Sequence, residues 1–323
     1  MLYSAEHVNR YIRENRFDEL IAFSEARHQL QFEMLFNEIH VADMDCANDF
    51  HTDVVMVTGP SSSGKTTFSN LLARYLTEDG YNCTVVSIDD YYLNRETIMK
   101  RQLANGRVPA HEHDFDYETL DAFDVPFFKK QMRAYLRGEE ITLPSYNFTT
   151  GKREIGTQKL ISTKKDMIIV EGIHALNPEL IRGVDFSHVF KVYICPFDSY
   201  TDKADGEVLL LPRQIRFMRR AIRDHVKRGS SLLNTMGMWP SVRNGEEKYI
   251  KPVKKYADFF FNSSFEYEIA FLKAGIGRLY ERLTLEEKEE FEKFIPAVTL
   301  RPFLPKQDFE IPADSIFNEF FMR

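Results

Sequence analysis

Between residues 53 and 263 the chain alternates short, nearly continuous apolar runs with longer stretches whose apolar positions recur every three or four residues. The runs DVVMVT (53–58), CTVVSI (83–88), DMIIVE (166–171), HVFKVYIC (188–195) and ADFFFN (257–262) carry few polar residues, the pattern of strands buried on both faces of a parallel sheet. Helical periodicity predicts helices starting at Lys65, near Tyr117 and near Arg213. Ahead of this region, Ile21, Phe23 and Leu30 lead into the helix-spaced positions Phe32, Leu35, Phe36 and Ile39, so residues 1–50 read as helical. From about Phe265 two further helical stretches follow. One of them, LTLEEKEEFEKFI, carries an acidic run that reads as a solvated face, and the chain ends in IPADSIFNEFFMR. Strands alternating with helices predict an α/β fold in three layers around a mostly parallel sheet. No internal repeat or low-complexity segment interrupts it.

Composition narrows the function classes. The formal net charge of -7 and a pI near 5.8 give no global field for nucleic acid. Cys46, Cys83 and Cys195 are scattered and odd in number, which argues against a disulfide framework or a zinc site and fits a reducing compartment. MLYSAEHVNRYIREN lacks the apolar core of a signal peptide, and no apolar run approaches the ~20 residues of a spanning helix. The expectation is a soluble, cytoplasmic protein with no membrane or nucleic-acid partner.

The first apolar run is followed at once by GPSSSGKTT, and then by the helical pattern FSNLLARYL. Gly59, four residues, then Gly64-Lys65-Thr66 complete GxxxxGK[ST] in the strand-loop-helix context that this P-loop requires. The glycines let backbone N–H groups wrap a phosphate, and the helix N-terminus adds partial positive charge. Gly59, Pro60, Ser61, Ser62, Ser63, Gly64, Lys65, Thr66 and Thr67 are therefore the candidate ATP-binding residues. Lys65 is placed to reach the β- and γ-phosphates, and the Thr66 hydroxyl to ligate Mg²⁺.

The second run ends in SIDDYY. Carboxylates closing a core strand are costly unless a cation, donor or substrate answers them. In open α/β sheets the ligand lies beyond the carboxyl ends of the strands, so this one ends beside the transferring phosphate. Asp89 is the candidate general base for an attacking hydroxyl and a candidate Mg²⁺-side carboxylate. Asp90 reads equally well as a turn or N-cap residue. Tyr91 and Tyr92 either pack or line the acceptor pocket. Glu171, ending DMIIVE, is the second candidate on the metal side. The cluster His111, Glu112, His113 and Asp114 resembles a metal set but reads better as a pocket loop. His174 reads as a pocket wall, and His225 is assigned no role.

In order and spacing, GPSSSGKTT, SIDDYY, DFDYETLDAFD, LPSYNF, IIVEGIHAL and RRAIRDHVKRG resemble the uridine kinase and phosphoribulokinase family of P-loop kinases, from about Val54 to Asn262. MWPSVRNGEEKYI, LPSYNFTTGKRE and the terminal IPADSIFNEF are similar to bacterial uridine kinase-like nucleoside kinases, here without the synthetase-like N-terminal extension many of them carry. The resemblance implies Asp89 as base and Tyr92 in the substrate pocket. It also implies Asp116, with Asp114 as competitor, on the ribose hydroxyls, and Tyr146 and Phe148 around the base.

Arg216, Arg219, Arg220 and Arg223 recur at helical spacing as one positive stripe. In the resembled family this stripe is a helical lid. The match puts Arg220 on the acceptor and Arg223 and Arg228 on the transferring phosphoryl group. Two positions depart from the family. Gly151 stands near its base-reading histidine and Met238 near its base-contacting glutamine; the segment around Trp239 either supplies the missing contacts or packs. The implied activity is transfer of the γ-phosphoryl group of ATP, with Mg²⁺, to the 5′-hydroxyl of a ribonucleoside, uridine or cytidine favoured. Kinase action on another small alcohol, or a regulatory NTPase, are the alternatives. The implied organisation is a helical segment (1–50), a P-loop kinase domain (51–264) and a helical extension packed on it (265–323). Family members often form homo-oligomers, which the sequence leaves open.

Overall fold

The computed structural model describes residues 1–44, 52–106, 115–162, 166–204 and 206–320. The chain opens with β1 (Leu2–Ser4), α1 (Ala5–Arg13) and the long α2 (Phe17–Met44). The central region carries β2 (Thr52–Thr58), α3 (Lys65–Glu78), β3 (Asn82–Ser87), α4 (Arg95–Ala104) and α5 (Val125–Leu136). After these come the hairpin β4 (Ile141–Asn147) and β5 (Lys152–Leu160), then β6 (Asp166–Glu171), α6 (Pro178–Ile181) and β7 (His188–Cys195). There follow β8 (Ser199–Thr201), β9 (Val208–Leu210), α7 (Pro212–Arg228), α8 (Leu232–Gly245) and β10 (Phe259–Asn262). The chain finishes with α9 (Glu268–Tyr280), α10 (Leu285–Glu292), α11 (Ala297–Leu300) and a short 3₁₀ turn, Ile316–Glu319.

The five apolar runs form one parallel sheet in the order β10-β7-β2-β6-β3. Val55 of β2 pairs with Ile169 of β6 on one side and Phe190 of β7 on the other. Alternation along the strands explains why the runs are apolar throughout. Val55, Val57 and Ile169 face a core shared with Phe68 and Leu72 of α3, with α2 and with the tail. Val54, Met56, Ile168 and Val170 face a second core with Phe128 and Met132 of α5. The loop after β2 leaves the sheet between neighbours, and the Thr58 hydroxyl fastens that point by donating to the carbonyls of Gly172 (2.9 Å) and Ile173 (2.8 Å).

Three expectations shift. The helix expected near Tyr117 begins at Val125. Asp124 caps it by accepting from Phe127 N (3.1 Å), Pro126 lies in its first turn, and residues 120–122 form a 3₁₀ turn instead. β3 stops at Ser87, and Ile88–Tyr91 form a 3₁₀ turn carrying both aspartates. In α2 the buried line runs through Leu20, Ser24, His28, Phe32, Leu35 and Ile39. Phe23 and Leu30 lie off that line, 64% and 58% exposed.

The hairpin β4–β5 and the short strands β1, β8 and β9 add to the five runs. The tail folds back across the molecule: Ile316, Phe317 and Phe320 are buried, and Ser315 Oγ donates to Glu25 of α2 (2.6 Å). Among the described residues no helix is long and apolar enough to cross a membrane.

Candidate active site

The loop after β2 is a tight cradle. A Cβ at Gly59 would lie 2.0 Å from the Ile194 carbonyl oxygen, so only glycine fits between β2 and the end of β7. Gly64 takes φ +95° as the N-cap of α3, which turns the chain into the helix. Lys65 Nζ reaches back to the carbonyls of Gly59 (2.9 Å) and Pro60 (3.2 Å). The hydroxyls of Ser62 and Ser63 are buried and have no hydrogen-bond partner among the described residues. A loop with crowded glycines and orphaned buried hydroxyls fits an anionic ligand that supplies the missing partners.

This cradle forms one end of a cavity of about 510 Å³, into which Ser61, Ser62, Lys65 and Thr66 project. On its acidic wall stand Asp89, from the turn after β3, and Glu171, the last residue of β6. Glu171 Oε1 accepts from Ser87 Oγ (2.8 Å) and Thr66 Oγ1 (3.4 Å). Burial pushes both carboxyls above their ordinary range, Lys65 opposes the shift in each, and a neighbouring carboxylate adds to it, Asp90 for Asp89 and Asp89 for Glu171. The Thr66–Glu171 corner matches the one or two protein ligands that a largely hydrated Mg²⁺ needs. No larger metal-binding cluster exists among the described residues, and His111, Glu112, His113 and Asp114 lie outside them. Asp90 points elsewhere: its Oδ1 accepts from Tyr146 N (2.9 Å), which fastens the hairpin to the turn.

Part of the cavity lining is aromatic. Tyr92 and Tyr146 have ring centroids 5.3 Å apart, Tyr146 and Phe148 5.1 Å, and Tyr92 stacks on Phe123 at 4.0 Å. The Tyr92 hydroxyl is fixed by donating to the Tyr117 carbonyl (3.0 Å). Met238 lines the cavity too, as does Arg95, whose Nη2 donates to the Phe148 carbonyl (3.0 Å). Gly151, at φ +68°, makes room for Arg95: a Cβ there would come within 2.8 Å of Arg95 Nε. The space that a side chain at residue 151 would enter is thus taken by an arginine reaching over from α4.

Asp116, the expected ribose-side acid, and Glu118, to which no role was given, take different positions. Asp116 is buried outside the lining of this cavity, where its carboxylate accepts from the Tyr249 hydroxyl (2.9 Å) and from Glu118 N (3.1 Å). Glu118 is the acid that faces the cavity. Its carboxyl is raised to about 7 by burial, with Arg220 pulling it down and Asp89 pushing it up. The Glu118 carbonyl accepts from His174 Nε2 (2.8 Å), and burial lowers His174 to about 4, so a neutral ring holds this turn. Glu118 stands between FD (Phe115-Asp116) and DAFD (121–124), in the turn that Asp116 caps through Glu118 N. The one signal available in the sequence was an acid between those two motifs.

The arginines of α7 divide into two sets. Arg216 and Arg219 are buried and structural: Arg216 pairs with Glu246 (2.6 Å), and Arg219 grips Glu268 through two bonds (2.6 and 2.8 Å). Arg220, Arg223 and Arg228 line the cavity. Arg220 Nη1 donates to Ser61 Oγ (2.6 Å), and all three contact Asp224 at 3.2 Å. Sequence reasoning also missed Glu319, which reaches the cavity from the tail.

The profile of the Phosphoribulokinase / Uridine kinase family matches residues 54–270. A uridine kinase of Borrelia duttonii is 31% identical over 210 residues, covering 64% of this chain and 84% of its own length. One from Lactobacillus johnsonii is 28% identical over 219 residues, covering 67% and 89%. A solved chain described as a possible uridine kinase from Bacillus stearothermophilus overlays with a TM-score of 0.44 at 22% identity, covering 72% of this chain and 98% of that one.

Proposed function

Since this chain belongs to the phosphoribulokinase / uridine kinase family, we propose that it transfers the γ-phosphoryl group of ATP to the 5′-hydroxyl of a ribonucleoside, with pyrimidine nucleosides as first candidates. The observation that carries this reading is the position of Asp89. It lines one cavity with the cradle residues Lys65 and Thr66 and with the aromatic group Tyr92, Tyr146 and Phe148, close enough to interact electrostatically with both Lys65 and Tyr92. A flat base among those rings directs its sugar toward Asp89. The bacterial relatives named uridine kinase favour the same acceptor class.

In this mechanism the cradle from Gly59 to Thr67 holds the donor's phosphates, and Lys65 neutralises them. The Thr66–Glu171 corner is suited to hold Mg²⁺, which supplies charge neutralisation at the phosphate oxygens. Glu118 accepts from the acceptor's sugar hydroxyls while Arg220 stands beside it. Asp89 takes the proton of the attacking hydroxyl as the new O–P bond forms and the bond to the leaving ADP oxygen breaks. Arg223 and Arg228 donate to the phosphoryl oxygens as charge builds on them.

The test is ADP release from Mg-ATP with a panel of ribo- and deoxyribonucleosides, comparing the intact chain with Asp89→Asn. Stimulation by one or two nucleosides that vanishes in the variant supports the reading and names the base. Hydrolysis indifferent to every nucleoside and to Asp89 points to a regulatory NTPase. Stimulation only by other alcohols keeps the chemistry and replaces the acceptor.

A further inference from the structure

The tail places a carboxylate in the phosphate end of the cavity. Glu319 Oε1 lies 3.2 Å from Arg223 Nη1, its Oε2 lies 3.5 Å from Thr67 Oγ1, and its carbonyl accepts from Lys227 Nζ (2.8 Å). The segment cannot drift, because Ile316, Phe317 and Phe320 are buried and the Phe320 ring lies under the Arg219 guanidinium at 4.8 Å. Ile316 also packs against the cradle, its Cγ2 only 2.5 Å from where a Cβ on Gly64 would be. The Glu319 side chain is 13% exposed, so water screens its charge poorly.

We propose that Glu319 sets the affinity of the site for the donor nucleotide, holding Arg223 at the mouth of the cradle until a polyphosphate takes its place. Thr67 is the third residue of α3, and its hydroxyl and that helix N-terminus form a corner suited to an anion. Glu319 fills the corner with the chain's own anion. An incoming phosphate meets like charge there, already increased by Asp89 and Glu171, and must draw Arg223 away from its partner. The backbone anchors stay in place, so the exchange is a side-chain movement. A seated polyphosphate thereby frees Arg223 to serve the transferring group. The inference rests on the cradle being the donor site and is independent of which acceptor is used.

The test is equilibrium titration of the full chain with a fluorescent Mg-ATP analogue in the absence of acceptor, for the natural sequence, Glu319→Gln, Glu319→Asp and Lys65→Ala. Glu319→Gln keeps the shape and removes the charge. It is expected to bind about tenfold more tightly, corresponding to about 1.4 kcal/mol. Glu319→Asp, which shortens the reach, falls between. If Glu319→Gln fails to fold, a folded Glu319→Asp carries the test, and no gain in affinity overturns the proposal. Equal or weaker binding by Glu319→Gln, with the natural sequence still dependent on Lys65, overturns it and leaves the donor site standing. Binding indifferent to Lys65→Ala overturns the donor site itself, and the proposal with it.

Discussion

Arg219 of α7 and Glu268 of α9 face each other through two parallel bonds, Nε to Oε2 at 2.6 Å and Nη2 to Oε1 at 2.8 Å, with both side chains sealed from solvent. The same guanidinium donates to the Ser263 carbonyl (2.7 Å), and Glu268 accepts from Phe265 N (3.0 Å), so the pair joins α7 to the turn after β10. Removing one partner leaves a buried, uncompensated charge. Arg219→Met or Glu268→Met alone should lower stability by about 3–5 kcal/mol, while the double replacement should recover most of the loss. Urea denaturation of the three variants checks this. Additive losses would mean that the pair does not act as a unit.

Asp89→Asn should lower kcat by about 10²–10⁴-fold, the usual contribution of a positioned base. Removing a charge near Lys65 leaves the cradle intact, so the dissociation constant for Mg-ATP should move far less. Single-turnover kinetics alongside nucleotide titration separate the two effects. A parallel loss of nucleotide binding would assign Asp89 to the metal rather than to the proton.

Glu118 and Asp116 give a second contrast. Glu118→Gln should raise the acceptor's KM about tenfold or more, as expected when a charged hydrogen-bond acceptor of about 1.5–3 kcal/mol is lost. The KM for ATP should stay nearly constant. Asp116→Asn acts through Tyr249 and the turn, and should show mainly as lost thermal stability. A reversed pattern returns the sugar to Asp116.

Glu118 also shapes the response to pH. Burial raises it from 4.5 to about 7, so between those values the folded chain holds a proton that the unfolded chain has released. Folding is therefore favoured at the acid end of the window and loses stability as pH rises through it. Glu118→Gln should remove its share of that slope, measurable as the stability difference between pH 4.5 and pH 7. An unchanged slope would place the raised titration elsewhere, with Glu171 next in line.

Legibility in the sequence followed how local each feature's cause is. The cradle was readable because Gly59, Gly64 and Lys65 act within one loop. The five sheet strands were readable because burial on both faces leaves an unbroken apolar run, as in Ile168-Ile169-Val170. The hairpin was missed because its second strand is mostly exposed and polar, and because Pro144 sits where the register shifts. Arg216 and Arg219 looked the same as Arg220 and Arg223 along the helix. What separates them is Glu246 and Glu268, brought close by folding alone. Glu319 was invisible for the same reason, 252 positions from Thr67.

The division of the α7 arginines bears on timing. The first half of that helix is riveted: Arg216 reaches both Glu246 and the Ser61 carbonyl (3.2 Å), and Arg219 holds Glu268. Its last turns carry the half-exposed Arg228 and end at Gly229, in a left-handed conformation at φ 63°. Amide hydrogens over 216–222 should then exchange only through opening of the whole core. Those beyond 225 should exchange quickly in the empty enzyme and slow when both ligands are present. On that outcome, closure over the reacting groups is the ordering of a helix end, on the nanosecond-to-microsecond scale of chain termini, and needs no swinging domain.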